Sequence, residues 1–257
     1  MRCFEIYEFI NEICPFDLAQ EWDNSGLTVG GNNDVNAVYI ALDATDQVIT
    51  ACADHGCELL LTHHPLIFTG LLNVSEQDFI GRRVLELARR EISYIAAHTN
   101  YDVARMGELA AGMIGLTDCS PLLPTNESGD AGIGCIGTLE EAPDLLTAAE
   151  KVRSEFGAKG IHVFGEKTKK ITRAAILPGS GRSGIDQAVE SGADLLITGD
   201  IDHHHGLDAV ARGLAVIDAG HYGLEHIFID DMAAQLKNRF PELRVVEDAP
   251  REPFYSL

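Results

Sequence analysis

Residues 59–68 read Leu-Leu-Leu-Thr-His-His-Pro-Leu-Ile-Phe, and the fold is decided by how that run begins and ends. The apolar residues Leu59 to Leu61 predict a buried strand that stops at Thr62. Side chains alternate between faces along a strand, but His63 and His64 lie past the apolar run, where the chain is turning. Pro65 fixes its own φ and keeps His64 out of the α region. Two adjacent imidazoles on a constrained edge suit two neighbouring metal ions, each taking one nitrogen. A surface histidine pair beside a turn accounts for these residues equally well.

Working outward, Val38 to Leu42 predicts a strand and 46–55 a helix, with Thr45 as its N-cap and Gly56 as its stop. Strand, helix and strand make a β-α-β unit whose connection is long enough for a right-handed parallel crossover. His63 and His64 then fall at the carboxyl end of a strand, where open α/β sheets place their ligands. A helix over 78–90 leads to a strand over 92–97, which empties into His98-Thr99-Asn100-Tyr101-Asp102. Upstream, 4–14 carries helical spacing closed by Pro15. Asp23-Asn24-Ser25-Gly26 is a turn signal in which Asp23 either caps the turn or reaches an active site. A short helix is expected over 108–114.

Composition shifts over 117–132, where two prolines and small polar residues predict a domain boundary. Beyond it, strands at 133–139, 161–164, 173–177, 195–198 and 214–218 alternate with helices at 144–156, 185–190, 207–212 and 225–239. A hairpin is expected around Gly165-Glu166-Lys167, and an edge strand near 243–246. The expected fold class is α/β, with two similar α/β lobes from an internal duplication and a metal cleft between them. The lobes are 1–122, carrying the His-His motif, and 123–257, carrying a His-x3-Glu motif. The duplication rests on an echo: VITACADHGCELLLTHH has the pattern of GIDQAVESGADLLITGD, and YIAAHTNYD that of AVIDAGHYGLE.

The 257 residues are 46% hydrophobic and 23% charged, which fits a globule with a real core. Lys plus Arg is 19 against 40 for Asp plus Glu, a formal charge of -21. That balance disfavours passive attraction to nucleic acid or to an anionic membrane. No targeting signal or membrane-length apolar run stands out, and six cysteines form no CxxC pair or staple framework. A cytoplasmic protein with free thiols is the economical expectation.

The echo repeats a spacing of His, three residues, then a carboxylate: His98 with Asp102, and His221 with Glu225. On a helical turn, positions i and i+4 share one face, so a nitrogen and an oxygen converge on a cation. Joined to His63 and His64, the set is too large for one tetrahedral ion and suits two. Such a pair lowers the pKa of a shared water and clamps a polar substrate. Isolated capping or salt-bridge roles are the plain alternative.

Gly179, Gly181 and Gly184 satisfy GxGxxG after a strand, yet the same string recurs at Gly132, Gly134 and Gly137 with no helix behind it. A dinucleotide fingerprint is therefore disfavoured. The 179–184 loop reads equally well as a plain tight turn or as a nest at a helix start able to hold a phosphate or carboxylate. Asp200 to His205 reads as a histidine-rich loop, either solvated, or forming a second metal locus or lending a proton shuttle to the main one.

In combination, THHP, HTNYD, EWDNSGLTVG, TGDIDHHH and GHYGLE resemble the NIF3-like family, whose members are often labelled GTP cyclohydrolase 1 type 2 homologues. The resemblance implies a dinuclear centre on His63, His64, Asp102, His221 and Glu225, with His98 beside it. Implied cofactors are two divalent ions per chain, drawn from zinc, iron, manganese, nickel or cobalt. It also implies a toroidal homohexamer built as a trimer of dimers. The expected activity is metal-dependent hydrolysis, GTP cyclohydrolase-like on a nucleotide. In that reading His98 and His204 move protons, and Gly179, Gly181 and Arg182 hold the substrate. The alternatives are a phosphodiesterase or other phosphoesterase, and a non-catalytic metal-binding scaffold or regulator.

Overall fold

The computed structural model describes residues 1–251, 253 and 254. The amino-terminal elements are α1 (Cys3–Ile13), β1 (Gly26–Val29), β2 (Ala37–Ala41), α2 (Asp46–Asp54), β3 (Leu59–Thr62), α3 (Phe79–Arg89), β4 (Ser93–Ala96) and α4 (Thr99–Tyr101). Next come α5 (Gly107–Ile114), β5 (Thr117–Pro124), β6 (Gly132–Thr138), α6 (Leu145–Glu155), β7 (His162–Phe164), β8 (Arg173–Ser180) and α7 (Ile185–Glu190). The chain ends with β9 (Leu195–Gly199), α8 (His203–Ala211), β10 (Ala215–Asp218), α9 (His221–Glu225), α10 (Ile227–Arg239) and β11 (Arg244–Glu247).

These elements form an α/β protein with two mixed sheets, each in its own compact unit. Residues 1–104 and 228–251 make the first unit, and 105–227 make the body of the second. Residue 122, the expected end of the first lobe, lies inside β5. The crossing to the second unit comes earlier, and residues 228–251 return to the first.

In the first unit the strand order is β1-β4-β3-β2-β11. Strands β11, β2, β3 and β4 are parallel, and β1 is antiparallel to β4. The predicted crossover is present: β3 pairs with β2 and β4 in parallel, joining Thr62 to both Ala41 and Ala96. Every residue of β2, β3 and β4 is buried, as strands covered on both faces require. One face packs Tyr39, Leu60 and Tyr94 against Val48, Ile49 and Cys52 of α2 and Leu87 of α3. Thr45 caps α2 by accepting the Val48 N–H, and Asp78 caps α3 by accepting that of Gly81.

In the second unit the order is β5-β6-β8-β9-β10-β7. Strands β8, β9 and β10 are parallel, while β5, β6 and β7 run antiparallel to their neighbours. Its core joins Ala175, Leu196 and Val216 of those central strands to Ile185, Ala188 and Ala209 of α7 and α8.

Three local expectations are corrected. The stretch 117–132, expected as a domain boundary, contains β5 at the edge of the second sheet. Its prolines at 121 and 124 are tolerated there because an edge strand can leave an N–H position unpaired. The hairpin around Gly165 does not form, because β7 pairs with β10 while β8 lies between β6 and β9. The segment after β7 instead runs past the start of α6, whose Leu145 and Leu146 N–H groups donate to the carbonyls of Lys169 and Lys167. Residues 203–205 open α8 rather than lying in a loop, since Asp202 accepts the N–H groups of His204 and His205 as an N-cap.

The turn after β3 is held by one buried phenol. The Tyr94 hydroxyl lies 2.7 Å from Thr62 Oγ1 and 2.9 Å from the His64 carbonyl oxygen, and it accepts the Leu66 N–H at 2.8 Å. Thr62 Oγ1 also donates to the His64 carbonyl, and the His64 N–H donates to the carbonyl of Leu42. Full burial raises the Tyr94 phenol well above its ordinary value, so it serves as a neutral hydrogen-bonding group. Tyr94→Phe removes this hydroxyl and leaves the buried Leu66 N–H without its acceptor. The expected loss is about 1–3 kcal/mol of unfolding free energy, read by urea titration. An unchanged midpoint would show that the turn does not depend on the phenol.

Candidate metal centre

Strands β2, β3 and β4 deliver their carboxyl-terminal exits side by side, and the first unit's chemistry collects there. The β3 exit carries His63 and His64, the β4 exit carries His98, and Asp43 follows β2. His63 is fully buried, and its Nδ1 lies 2.8 Å from the carbonyl oxygen of Ala97. His64 Nδ1 lies 2.9 Å from Asp43 Oδ1, and His98 Nδ1 lies 2.8 Å from Asp23 Oδ1. A carbonyl or an ionised carboxylate only accepts, so each Nδ1 carries the hydrogen and donates it. In the neutral ring, Nε2 then keeps its lone pair and is the nitrogen available to a cation.

One donor atom from each of His63, His64 and His98 lies within 4.8 Å of the other two. Asp102 adds an oxygen, its Oδ1 being 3.6 Å from His63 Nε2. The expected alignment of His98 with Asp102 does not occur. His98 has ψ -106°, outside the helix that follows, so its ring turns to Asp23 while Asp102 meets His63.

Asp23 accounts for much of this order. Its side chain is fully buried and accepts from Ser25 Oγ, His98 Nδ1, Thr99 Oγ1 and the N–H groups of Asn24 and Thr99. Burial alone would raise its pKa, but hydrogen bonds from His98, Thr99 and Ser25 outweigh burial and hold the carboxyl well below the usual range. Asp23 therefore both caps the turn and orients a site histidine, two roles that the sequence left as alternatives.

The second unit carries its own donor set. In α9, His221 Nε2 lies 2.9 Å from Glu225 Oε2 across the predicted i,i+4 spacing, and Glu225 is only 4% exposed. His221 Nδ1 is anchored 2.8 Å from Asp200 Oδ2, repeating the arrangement of the first unit. Asp200 is a non-glycine residue with φ +57°, a conformation that costs energy and clusters at functional sites. Asp218, at the end of β10, accepts the N–H groups of Gly220 and Ile201 and so ties the exits of β9 and β10 together. Two groups of His and Glu residues capable of coordinating divalent ions are thus present among the described residues of the chain.

The glycine-rich loop has a packing explanation. Gly179 has φ +82°, and a Cβ placed there would lie 2.3 Å from Glu225 Oε1. At Gly181 it would lie 1.8 Å from Thr198 Oγ1. The glycines let the end of β8 and the turn behind it approach the Glu225 carboxylate and Thr198 of β9. Arg182 is exposed in the following turn, and His204 is exposed on α8 beside His203. Neither belongs to the donor groups found among the described residues. Sequence reasoning missed Asp43 and underused Asp200; the available signal was a carboxylate one or two residues past a predicted strand end.

A two-sheet α/β fold whose strand exits carry anchored histidines and carboxylates defines a metal-binding class of protein. The chain belongs to the Duf34/NIF3 family (NGG1p interacting factor 3), which matches over residues 1–250. It is 30% identical over 260 residues to a GTP cyclohydrolase 1 type 2 homolog of Clostridium perfringens, covering 99% of each chain. A Lactococcus lactis protein of the same description is 35% identical over 253 residues, covering 96% of each. Among solved structures, a Staphylococcus aureus hypothetical protein superposes with TM-score 0.91 at 27% identity, covering 100% of this chain and 99% of that one. Reduced HcgD from Methanocaldococcus jannaschii superposes with TM-score 0.84 at 29% identity, covering 96% and 97%.

Gly179→Ala tests the seat of Glu225. A methyl group cannot fit against Oε1, and alanine is strained at this φ. The variant is expected to lose about 1–3 kcal/mol of stability and to bind zinc at least about tenfold more weakly, by analogy with loss of a group that orients a ligand. Wild-type zinc affinity in a calorimetric titration would show that the glycine does not seat the carboxylate.

Proposed function

We propose that the protein is a hydrolase dependent on two divalent ions, held by His63, His64, Asp102, His221 and Glu225. The observation that carries this reading is the shared anchoring of the histidines. Each ring is fixed through Nδ1 by a carbonyl or carboxylate, which sets the tautomer and orients Nε2 as metal-ligating imidazoles require. Nitrogen and carboxylate oxygen donors fit zinc, iron, manganese, nickel or cobalt rather than the all-oxygen shells of calcium or magnesium. When bound, such ions supply Lewis-acid activation of water and of the bond to be hydrolysed.

The chain's own residues divide the remaining work. Glu225, seated against Gly179, offers two oxygens and suits a bridging position, whereas each neutral imidazole offers one nitrogen. His98 is held by Asp23 with Nε2 directed away from that carboxylate, so it can accept or return a proton at that atom. His204, exposed at the start of α8, is the candidate relay to solvent, and Arg182 with Gly179 and Gly181 the candidate contact for an anionic part of the substrate. The naming of relatives as GTP cyclohydrolase 1 type 2 homologs favours a nucleotide.

Internal duplication accounts for the pairing of donor sets. Read from their antiparallel ends, β1-β4-β3-β2 and β7-β10-β9-β8 have the same order and the same directions. In both, the middle strand ends in threonine plus polar residues, and the third ends in a histidine turn. A duplicated unit presenting equivalent exits would account for histidine and carboxylate donors recurring on both.

Metal-reconstituted protein is expected to hold about two ions per chain by elemental analysis. Glu225→Ala should lose both, while His63→Ala or His64→Ala should mainly weaken one. Full occupancy by a single ion under excess metal, or two ions retained in Glu225→Ala at wild-type affinity, would contradict the bridge.

Assembly as a hexameric ring is the expectation that the family resemblance carries. Sedimentation of the metal-loaded chain should give one closed species near six times 27.8 kDa. A monomer throughout the micromolar range would remove the ring.

A further inference from the structure

Two large aromatic side chains stand in solvent beside the histidine cluster. Trp22 is 59% exposed and Phe68 is 50% exposed. Their rings stack at 5.7 Å between centroids and 24° between planes. Both touch the His98 ring edge-on, at 5.9 Å and 5.8 Å. His98 in turn belongs to the donor group with His63 and His64.

The pair is held in place rather than loosely displayed. Phe68 lies four residues past His64, and Trp22 directly precedes Asp23. Asn24 Nδ2 donates to the Ile67 carbonyl at 2.6 Å, joining the two loops that carry the rings. The Asp23 carboxylate fixes the first of these loops to His98 and Thr99, and the Tyr94 hydroxyl fixes the second at Leu66. Large apolar rings pinned in the open, against a polar donor cluster, contribute little to a core. They offer what a flat ligand needs, a preorganised π surface next to reactive groups.

We propose that Trp22 and Phe68 form the stacking platform of the substrate site, and that the substrate carries a planar heteroaromatic ring with its scissile bond on or immediately next to that ring. The restriction follows from distance. The platform rings lie within 5.9 Å of the His98 imidazole, which leaves room for one ring and its direct substituents. A bond at the far end of a triphosphate would lie well beyond the platform. This inference rests on the proposed metal-dependent hydrolase and narrows its substrate class.

The chain contains a single tryptophan, so intrinsic indole emission reports on Trp22 alone. The experiment titrates the metal-reconstituted full chain with guanosine 5′-monophosphate, with free pterin and with ribose 5-phosphate. Saturable quenching is expected with at least one of the two ring-bearing probes, and none with the sugar phosphate. By calorimetry, Phe68→Ala and Trp22→Ala should weaken the ring-bearing probe about tenfold, while Trp22→Phe should stay within about threefold because it keeps a π face. Both positions are exposed, so circular dichroism should show all three variants folded. Failure of both ring-bearing probes to bind, equal affinity for the sugar phosphate, or wild-type affinity in both alanine variants would overturn the platform. So would variants that change only the sedimentation behaviour, which would make the patch a contact between copies. Metal content is measured separately on every sample. Failure of the two-ion reading therefore appears in elemental analysis, and failure of the platform appears in ligand titration of fully loaded protein.

Discussion

An imidazole presents a chosen nitrogen to a cation only when its other nitrogen is held, and this constraint organises the protein. Four rings obey it: His63 through the Ala97 carbonyl, His64 through Asp43, His98 through Asp23 and His221 through Asp200. Each anchor is an acceptor, so the tautomer is set before any ion arrives. A free histidine on a loop would have to lose its rotamer freedom on binding. These rings lose most of it on folding, which shifts that cost away from the binding step.

The anchors need rigid supports, and the sheets supply them. Ala97 and Asp43 follow strands whose residues are all buried, and Asp200 directly follows the buried strand β9. Where a strand exit must turn sharply, a second device holds it: the Tyr94 phenol under the Thr62–Leu66 turn, and the Asp218 carboxylate across the exits of β9 and β10. Backbone strain at Asp200 and the absent side chain at Gly179 are both tied to the same acidic and imidazole groups. The second unit thus accepts local costs in order to place His221 and Glu225.

How far this could be read from sequence depends on range. Strand β3 was legible because three leucines and a threonine ended in His-His-Pro, and α2 because Thr45 and Gly56 marked its ends. The i,i+4 pairing of His221 with Glu225 was legible because α9 is a local helical turn. The same spacing misled at His98, whose backbone leaves the helical region and sends the ring to a partner 75 residues away. Asp43 and Asp200 were hard to single out because their role depends on neighbouring strand exits, which no local pattern reports. Strand β5 hid behind prolines that an edge strand tolerates, and β7 behind a turn signal that the chain uses to pass the start of α6.

Anchoring of each ring through Nδ1 dictates which nitrogen meets the ion. The direct measurement is anomalous diffraction from crystals of the zinc-loaded protein. Zinc is predicted about 2.0–2.1 Å from Nε2 of His63, His64 and His221, with every Nδ1 still donating to the carbonyl or carboxylate that holds it here. Zinc bound at Nδ1, with Asp43 and Asp200 released, or zinc found only at the exposed histidines 203 and 204, would contradict it.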